Sequence, residues 1–357
     1  MSMNRNTVSK AKAAALAVAA ILGAASIAMA AQPARQNRNT PAAPAQQAPN
    51  FDNVQIKVLP IRDNIYMLVG QGGNITLQVG EDGVLIVDTQ FAPLSDKILT
   101  EIRKISKAPI RFILNTHGHG DHTGGNDNLS KAGASVAGGN MLGPIAVAAQ
   151  GQGGAAAAGA VATILAHENV LMRMQQSIGG QPPSPDDTLP NVTYISEFKD
   201  MFFNGESIRL FHEPNAHTDG DTIVYFRRSD VLSVGDVYNT NSYPVIDKAR
   251  DGNIKGILAA LNHILELTIP KDRQEGGTLV IPGHGRLSDE ADVAEYRDMV
   301  TIIHDRIKDM VGRGLTLEQV KAAKPTIDYD PRYGSGNGPG STDRFVEIVY
   351  NDLKAAK

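Results

Sequence analysis

Residues 112–125 of the chain read FILNTHGHGDHTGG, in which an apolar run is followed by three histidines and an aspartate within six residues. The apolar run predicts a buried strand, and the polar residues therefore lie on the loop that leaves it. Imidazole and carboxylate groups together are typical ligands of a divalent metal ion such as zinc. A core role is disfavoured, because clustered imidazoles repel one another when protonated and lack partners in an apolar interior. The stretch therefore predicts a metal site.

Three later segments each place another metal-binding residue at the end of a predicted strand. His217 lies in PNAHTDGD, Asp236 in LSVGD and His284 in IPGHG. Small residues beside each of them allow the backbone and the side chain to approach an ion closely. Seven ligands suit two metal ions that share one carboxylate and one hydroxide. The predicted ligands are His117, His119, Asp121, His122, His217, Asp236 and His284.

The chain around these residues repeats one plan, in which strands are followed by helices. Short strands with glycine turns are predicted over 54–88, a helix from about Pro93 to Lys107, and a strand over 111–115 that leads into the histidine motif. A second series of strands spans 192–234 and is followed mainly by helices. The pattern predicts an α/β fold, a four-layer αββα sandwich of two similar halves with the helices outside.

The N-terminal residues predict export. Residues 1–30 have a basic start, an alanine-rich apolar middle and the small-x-small site Ala28-Met29-Ala30, as in a cleaved secretory signal of a bacterial periplasmic protein. The apolar middle is short of the ~20 strongly apolar residues that a membrane span needs. Residues 31–50 are rich in proline, alanine and glutamine and predict a disordered linker. We expect the catalytic domain over 51–290 and a helical extension packed on it over 291–357.

Composition limits the classes of function and partner. The chain contains no cysteine, which excludes disulfides, thiolate ligands and a cysteine nucleophile. Its formal net charge is −4 and it has no basic run, so nucleic acid is not an expected partner. We expect a small-molecule substrate and no stable membrane anchor after signal cleavage. The oligomeric state is not indicated by any feature of the sequence.

The chain contains, in this order, the motif HxHxDH, a distant histidine, a distant aspartate and a distant GHG. This pattern resembles that of the metallo-β-lactamase superfamily. The resemblance covers about Val54 to Leu287 and implies the metallo-β-lactamase fold with extra C-terminal helices. It also implies two metal sites bridged by Asp236: one made by His117, His119 and His217, and the other by Asp121, His122 and His284.

The aspartate at position 236 bears on the subtype. In one β-lactamase subclass this position is cysteine, whereas glyoxalase II-like thioesterases, acyl-homoserine lactonases and RNase Z-like nucleases have aspartate. The resemblance therefore implies an exported hydrolase with two divalent ions, with zinc expected and iron or manganese as alternatives. A hydroxide bridging the ions would cleave an acyl bond of a lactone, thioester, ester or β-lactam amide, with Asp121 as the catalytic proton shuttle.

Three alternatives to this acyl hydrolase remain open. The first is a β-lactamase proper, and the second is a phosphodiesterase or nuclease of the same fold. The third is a metal-binding module without catalytic activity, which the complete set of seven ligands disfavours.

Substrate selection is expected from loops beside the metal ions. The glycine-rich turn at 70–74, the segment 238–243 and the Gly/Ala-rich insert 138–164 are the candidates. His167 is interpreted either as the start of a helix or as part of the pocket wall. The predicted pocket residues are Gly73, Asn74, Tyr238, Tyr243 and His167.

Overall fold

Two β-sheets form the middle of the molecule in the computed structural model, which describes residues 50–134, 161–273 and 276–355. The first sheet follows chain order: β1 (Lys57–Arg62), β2 (Ile65–Val69), β3 (Ile75–Gly80), β4 (Gly83–Val87), β5 (Ile110–Leu114), β6 (Thr163–His167) and β7 (Val192–Tyr194). Strands β1 to β4 form an antiparallel meander, as the sequence predicts, and β4 to β7 are parallel. The carboxyl ends of these parallel strands therefore meet at one edge of the sheet.

The second sheet has the order β13-β12-β11-β10-β9-β8. Its strands are β8 (Phe198–Phe203), β9 (Glu206–Glu213), β10 (Asp221–Phe226), β11 (Val231–Ser233), β12 (Leu279–Ile281) and β13 (Ser288–Asp289). Only β11 and β12 pair in parallel, and the other neighbours are antiparallel. Both parallel strands are short and almost wholly buried, so the loops that leave them begin deep in the molecule.

Nine α-helices among the described residues complete the architecture. They are α1 (Ser95–Ile105), α2 (Gly120–Thr123), α3 (Asn126–Lys131), α4 (Glu168–Met174), α5 (Ile254–Leu267), α6 (Glu290–Gly312), α7 (Leu317–Ala322), α8 (Asp330–Tyr333) and α9 (Thr342–Ala355). None of the helices in the described ranges has both the length and the apolar character needed to cross a membrane.

Three apolar layers hold these elements together. Side chains of both sheets, such as Phe112 and Val224, fill the space between them. The outer face of the first sheet packs on α1 and α3 through residues such as Ile98. The outer face of the second sheet packs on α5, α6 and α9, where Val300 and Phe345 are buried. This layering confirms the predicted αββα sandwich with extra C-terminal helices.

Two predicted segments differ from the structure. Residues 192–195 were expected in the second series of strands, yet β7 pairs with β6 and belongs to the first sheet. Of the predicted insert 138–164, residues 138–160 lie outside the described residues, and Thr163 already begins β6. Periodicity alone did not separate this short apolar strand from the small-residue segment before it. Of the predicted signal and linker, which together span residues 1–50, all but Asn50 also lie outside the described residues.

Candidate metal centre

The loop after β5 folds so that its three histidines face one another. The chain leaves β5 extended and turns into the single-turn helix α2, in which the amide of His122 donates to the carbonyl of His119 at 3.0 Å. Gly118 and Gly120 separate the histidines, so the short turn brings their rings together. Nε2 of His117 lies 3.2 Å from Nδ1 of His119. This spacing is suited to two nitrogens that bind the same ion.

The first ligand cluster joins this loop to the second sheet. His217, between β9 and β10, places its Nε2 2.9 Å from Nδ1 of His119. His117 and His217 are fully buried. One ligand atom from each of His117, His119, His217 and Asp236 lies within 4.8 Å of the others. These are the residues that the resemblance assigns to the first metal and to the bridge.

The second cluster consists of Asp121, His122 and His284, whose ligand atoms also lie within 4.8 Å of one another. Nε2 of His284 is 3.3 Å from Nε2 of His122 and 3.3 Å from Oδ2 of Asp121. His284 follows β12 and His122 follows β5, so this cluster also spans both sheets. The structure thus brings together all seven predicted ligands.

The carboxylate of Asp236 lies between the two clusters. Its Oδ1 is 3.1 Å from Nε2 of His122 and 3.4 Å from Nε2 of His284. Its Oδ2 is 3.8 Å from Nε2 of His217. Oδ1 is buried, and no described residue donates a well-directed hydrogen bond to it. A buried carboxylate oxygen in this position fits a cation as its missing partner.

The charges of the buried ligands depend on one another. Burial opposes ionisation of Asp236, but the charges of His122 and His284 outweigh it and hold the pKa of this carboxyl well below its usual value. Burial also opposes protonation of His122, which Asp236 and Asp88 outweigh, so the pKa of His122 lies well above its usual value. For His284, Asp236 and Asp121 outweigh burial and raise the pKa to about 9. The cluster therefore favours added positive charge, which a divalent ion supplies.

Asp88 is a supporting residue that the sequence reading missed. It follows β4, and its Oδ2 lies 2.7 Å from Nδ1 of His122 while both oxygens accept hydrogen bonds from Thr116. This contact orients the imidazole so that Nε2 faces the other ligands. A usable signal was present, because Asp88 follows a fully buried strand, as Asp236 does.

Two further contacts orient histidines of the first cluster. Oδ2 of Asp247 lies 2.9 Å from Nε2 of His119 and accepts a hydrogen bond from Arg250 at 2.6 Å. The carbonyl of Val245 lies 2.7 Å from Nδ1 of His217. Asp247 was also missed, and since it follows no strand, only the tertiary structure places it beside the metal ligands.

A cavity of about 620 Å³ opens onto the ligands. Its floor includes His119, Asp121 and His284. Its walls come from the loop after β4, the start of α2, the segment after Asp236 and the C-terminal region: Phe91, Gly120, Asn239, Asn241, Ser242, Val245, Asp247, Pro339, Gly340 and Arg344. The walls therefore combine apolar residues, such as Phe91 and Val245, with the neutral polar side chains of Asn239, Asn241 and Ser242.

None of the five predicted pocket residues is among those lining this cavity. Gly73 packs against His122, where a Cβ atom would lie 2.2 Å from the ring. The Asn74 side chain donates to the carbonyls of Pro282 and Gly285 and thereby fixes the loop that carries His284. Both residues hold metal ligands in position.

The two predicted tyrosines lie behind the cavity. Tyr238 is buried with its hydroxyl 3.1 Å from Oγ of Ser288, and Tyr243 stacks on Phe345 with ring centroids 5.1 Å apart. Large aromatic rings are stabilised by burial, so the segment turns its tyrosines into the core and leaves its smaller polar residues at the cavity. The burial of both rings is the physical reason that the two tyrosines of segment 238–243 do not line the cavity, contrary to the prediction.

His167 lies at a helix start, which was one of the two interpretations. Its Nδ1 accepts a hydrogen bond from the amide of Asn169 at the beginning of α4. Its ring stacks on His212 with centroids 3.6 Å apart. Burial, together with the charge of His212, lowers the pKa of His167 to about 4.

Comparison with known proteins decides the family. The sequence profile of the metallo-beta-lactamase superfamily matches residues 68–284, which is more than half of the chain and includes all seven ligands. The chain belongs to the metallo-beta-lactamase superfamily. The resemblance inferred from the motifs is thus confirmed, and the histidine and aspartate clusters of this chain suit divalent metal ions.

Proteins similar to this chain include sulfatases. A linear primary-alkylsulfatase from Pseudomonas sp. (strain ATCC 19151) is 24% identical over 280 residues, which is 70% of this chain and 50% of that protein. A double mutant of the sec-alkyl sulfatase PisA1 has a TM-score of 0.58 at 17% identity, covering 83% of this chain and 50% of that one. A metallo-beta-lactamase from Pontibacter korlensis has a TM-score of 0.47 at 17% identity, and the match covers 69% of this chain and 99% of that one. The chain spans about half the length of the curated relative it matches.

Replacing Asp88 with asparagine should weaken metal binding at the second cluster. The amide keeps the shape of the side chain but removes the charge beside Nδ1 of His122, so we expect metal affinity to fall about 10–100-fold. Competition with a chelator measures the effect. Asp305→Asn, on the exposed part of α6, is the matched control. Equal affinities in the two variants would show that Asp88 does not support the ligand.

Acid should destabilise the fold in part through His167. The folded-state pKa of about 4 lies below the ordinary value of 6.5, so between these values the unfolded chain binds a proton that the folded chain does not. Stability present above pH 6.5 is therefore lost as the pH falls toward 4, by on the order of 1–3 kcal/mol. His167→Asn keeps a helix-capping acceptor and removes the titrating ring. Urea unfolding should show a flatter pH dependence in this variant, and parallel profiles would contradict the assignment.

Proposed function

We propose that this chain is a two-metal hydrolase that cleaves an acyl bond in a small molecule. The observation that carries the proposal is the position of Asp236, whose two carboxylate oxygens face different ligand clusters. A carboxylate placed in this way can bind two ions at once and fix their separation. The first cluster would hold one ion and the second cluster the other, with zinc as the proposed metal.

Bound divalent ions would supply a nucleophile from water at neutral pH and positive charge for the oxygen that becomes negative during cleavage. The protein excludes water from the side of the ligands that faces the interior, because His117, His122 and His217 are fully buried. Asp121 is partly exposed, lines the cavity and lies beside His284. Its carboxylate is therefore placed to take a proton from the attacking water and to return it to the leaving group.

The cavity wall supports an acyl substrate. Asn239, Asn241 and Ser242 offer neutral hydrogen-bonding groups, and Phe91 and Val245 offer apolar contacts. This combination suits the carbonyl and the carbon chain of a lactone, thioester, ester or β-lactam amide. Aspartate at position 236 occurs in acyl hydrolases and also in RNase Z-like nucleases of the superfamily, so the preference for an acyl substrate rests on the cavity wall.

A sulfate ester is the second candidate substrate. It is favoured by the similarity to the linear primary-alkylsulfatase, which extends over 70% of this chain. The same ligand clusters would serve this reaction, because the leaving alkoxide and the sulfate oxygens also carry negative charge. We further propose that residues 1–30 direct export to the bacterial periplasm, where the mature chain meets its substrate.

Metal counting followed by a substrate panel tests the proposal. The mature chain, loaded with zinc, should bind about two ions, as a two-ion clamp requires. It should hydrolyse at least one acyl substrate among nitrocefin, a homoserine lactone, a glutathione thioester and a simple 4-nitrophenyl ester. Asp236→Ala should lose about one ion and most of the activity, whereas Asp200→Ala on the exposed strand β8 should lose neither.

The other outcomes are equally informative. Less than about one ion per chain after reconstitution would contradict the two-metal site. Turnover of a primary alkyl sulfate alone would replace the acyl proposal with the sulfate ester. Turnover of bis-4-nitrophenyl phosphate alone would make the chain a phosphodiesterase. Two bound ions with no turnover in any arm would favour a metal-binding module.

A further inference from the structure

The C-terminal region contributes one wall of the metal cavity. Pro339, Gly340 and Arg344 line it, although the superfamily profile ends at residue 284. The floor and the metal ligands therefore come from the part of the chain shared with the superfamily, and this wall comes from beyond it. Substrate preference that is particular to this chain is expected on such a wall.

Arg344 differs from the other arginines after residue 284, each of which forms an ion pair with a carboxylate. The pairs are Arg286–Asp292, Arg297–Asp298, Arg306–Asp328, Arg313–Asp309 and Arg332–Glu295. The Arg344 side chain forms no hydrogen bond or ion pair with any residue in the described ranges. Its guanidinium group therefore has donors available to a ligand in the cavity.

The backbone that carries Arg344 is held firmly against the cavity wall. The neighbouring Phe345 is buried and stacks on Tyr243, with the two rings only 5° from parallel. Gly340 approaches Ser242 so closely that a Cβ atom on it would lie 2.7 Å from the serine Oγ. Because these contacts fix both sides of the turn, little ordering of the backbone is needed when Arg344 binds a ligand.

The acidic groups of the cavity are already engaged. Asp121 lies beside His284, Asp236 lies between the two ligand clusters, and Asp247 contacts His119. The other polar side chains of the lining, those of Asn239, Asn241 and Ser242, are neutral. An anion that enters the cavity therefore meets positive charge at Arg344 that no acidic partner within the described ranges neutralises.

We propose that Arg344 binds a negatively charged group at the end of the substrate that is not cleaved. The proposal rests on the proposed function, because the reacting bond is taken to lie at the metal ligands on the floor. Arg344 is exposed, whereas most of the ligands are buried, so it would contact the part of the substrate nearest the cavity mouth. The guanidinium fork suits a planar carboxylate, which it can bind through two hydrogen bonds. The substrate class is therefore an acyl compound with a free carboxylate.

A matched pair of esters tests this specificity. Mono-4-nitrophenyl glutarate and 4-nitrophenyl pentanoate have the same acyl chain length, but only the first carries a terminal carboxylate. For Arg344→Gln, kcat/KM for the charged ester relative to the neutral ester should fall about 10–100-fold, mainly through KM. Arg344→Lys should give an intermediate ratio, because it keeps the charge and loses the fork. Lys354→Gln removes the same charge from the last turn of α9 and should leave the ratio unchanged.

A binding measurement separates this proposal from the proposed function. In calorimetric titrations of the metal-loaded protein, glutarate should bind more tightly than pentanoate, and Arg344→Gln should remove most of that difference. If neither these esters nor any other acyl substrate of the panel is hydrolysed, but this selectivity is present and is lost in the variant, the proposed acyl hydrolase activity is wrong and the Arg344 site is supported. An unchanged glutarate-to-pentanoate difference in Arg344→Gln would overturn the Arg344 site, whatever the enzyme hydrolyses.

Discussion

The carboxylate of Asp236 lies between two clusters of imidazoles, and much of the surrounding structure keeps it there. It is buried, negatively charged and short of hydrogen-bond donors, so it is unstable without nearby positive charge. The structure supplies that charge locally by raising the pKa of His122 and His284. A divalent ion in each cluster would do so more strongly. The same arrangement that is costly without a cation is therefore suited to binding one.

The sandwich positions this carboxylate through its parallel strands. Chain segments leave β4, β5, β11 and β12 at one edge of the molecule, and these segments carry Asp88, the histidine motif, Asp236 and His284. Backbone contacts join the two sheets there, including the amide of Asn74 to the carbonyl of Gly283 at 2.7 Å. Because candidate ligands from both sheets meet at this edge, the candidate metal centre depends on correct packing of the two sheets.

The sequence predicted the layered fold and the seven residues that the structure gathers at the candidate metal centre, because both have local signals. Strand ends are marked by apolar runs, and histidine beside glycine after such a run is unusual. Asp247 and Arg344 lack these signals, and they reach the site only through loop and helix packing. The tyrosines of segment 238–243 were predicted to contact substrate but are buried, because the packing of α6 and α9 decides which side of that segment faces the core. Local chemistry is therefore readable from the sequence, whereas the lining of the cavity is a tertiary property.

The central claim is that one carboxylate joins two metal sites. Crystals of the zinc-loaded protein, measured at the zinc absorption edge, test it directly through anomalous scattering. The account predicts two peaks per chain, one among His117, His119 and His217 and one among Asp121, His122 and His284, with Asp236 contacting both at about 2.0–2.2 Å. A single peak, or two peaks of which one does not contact Asp236, would contradict it.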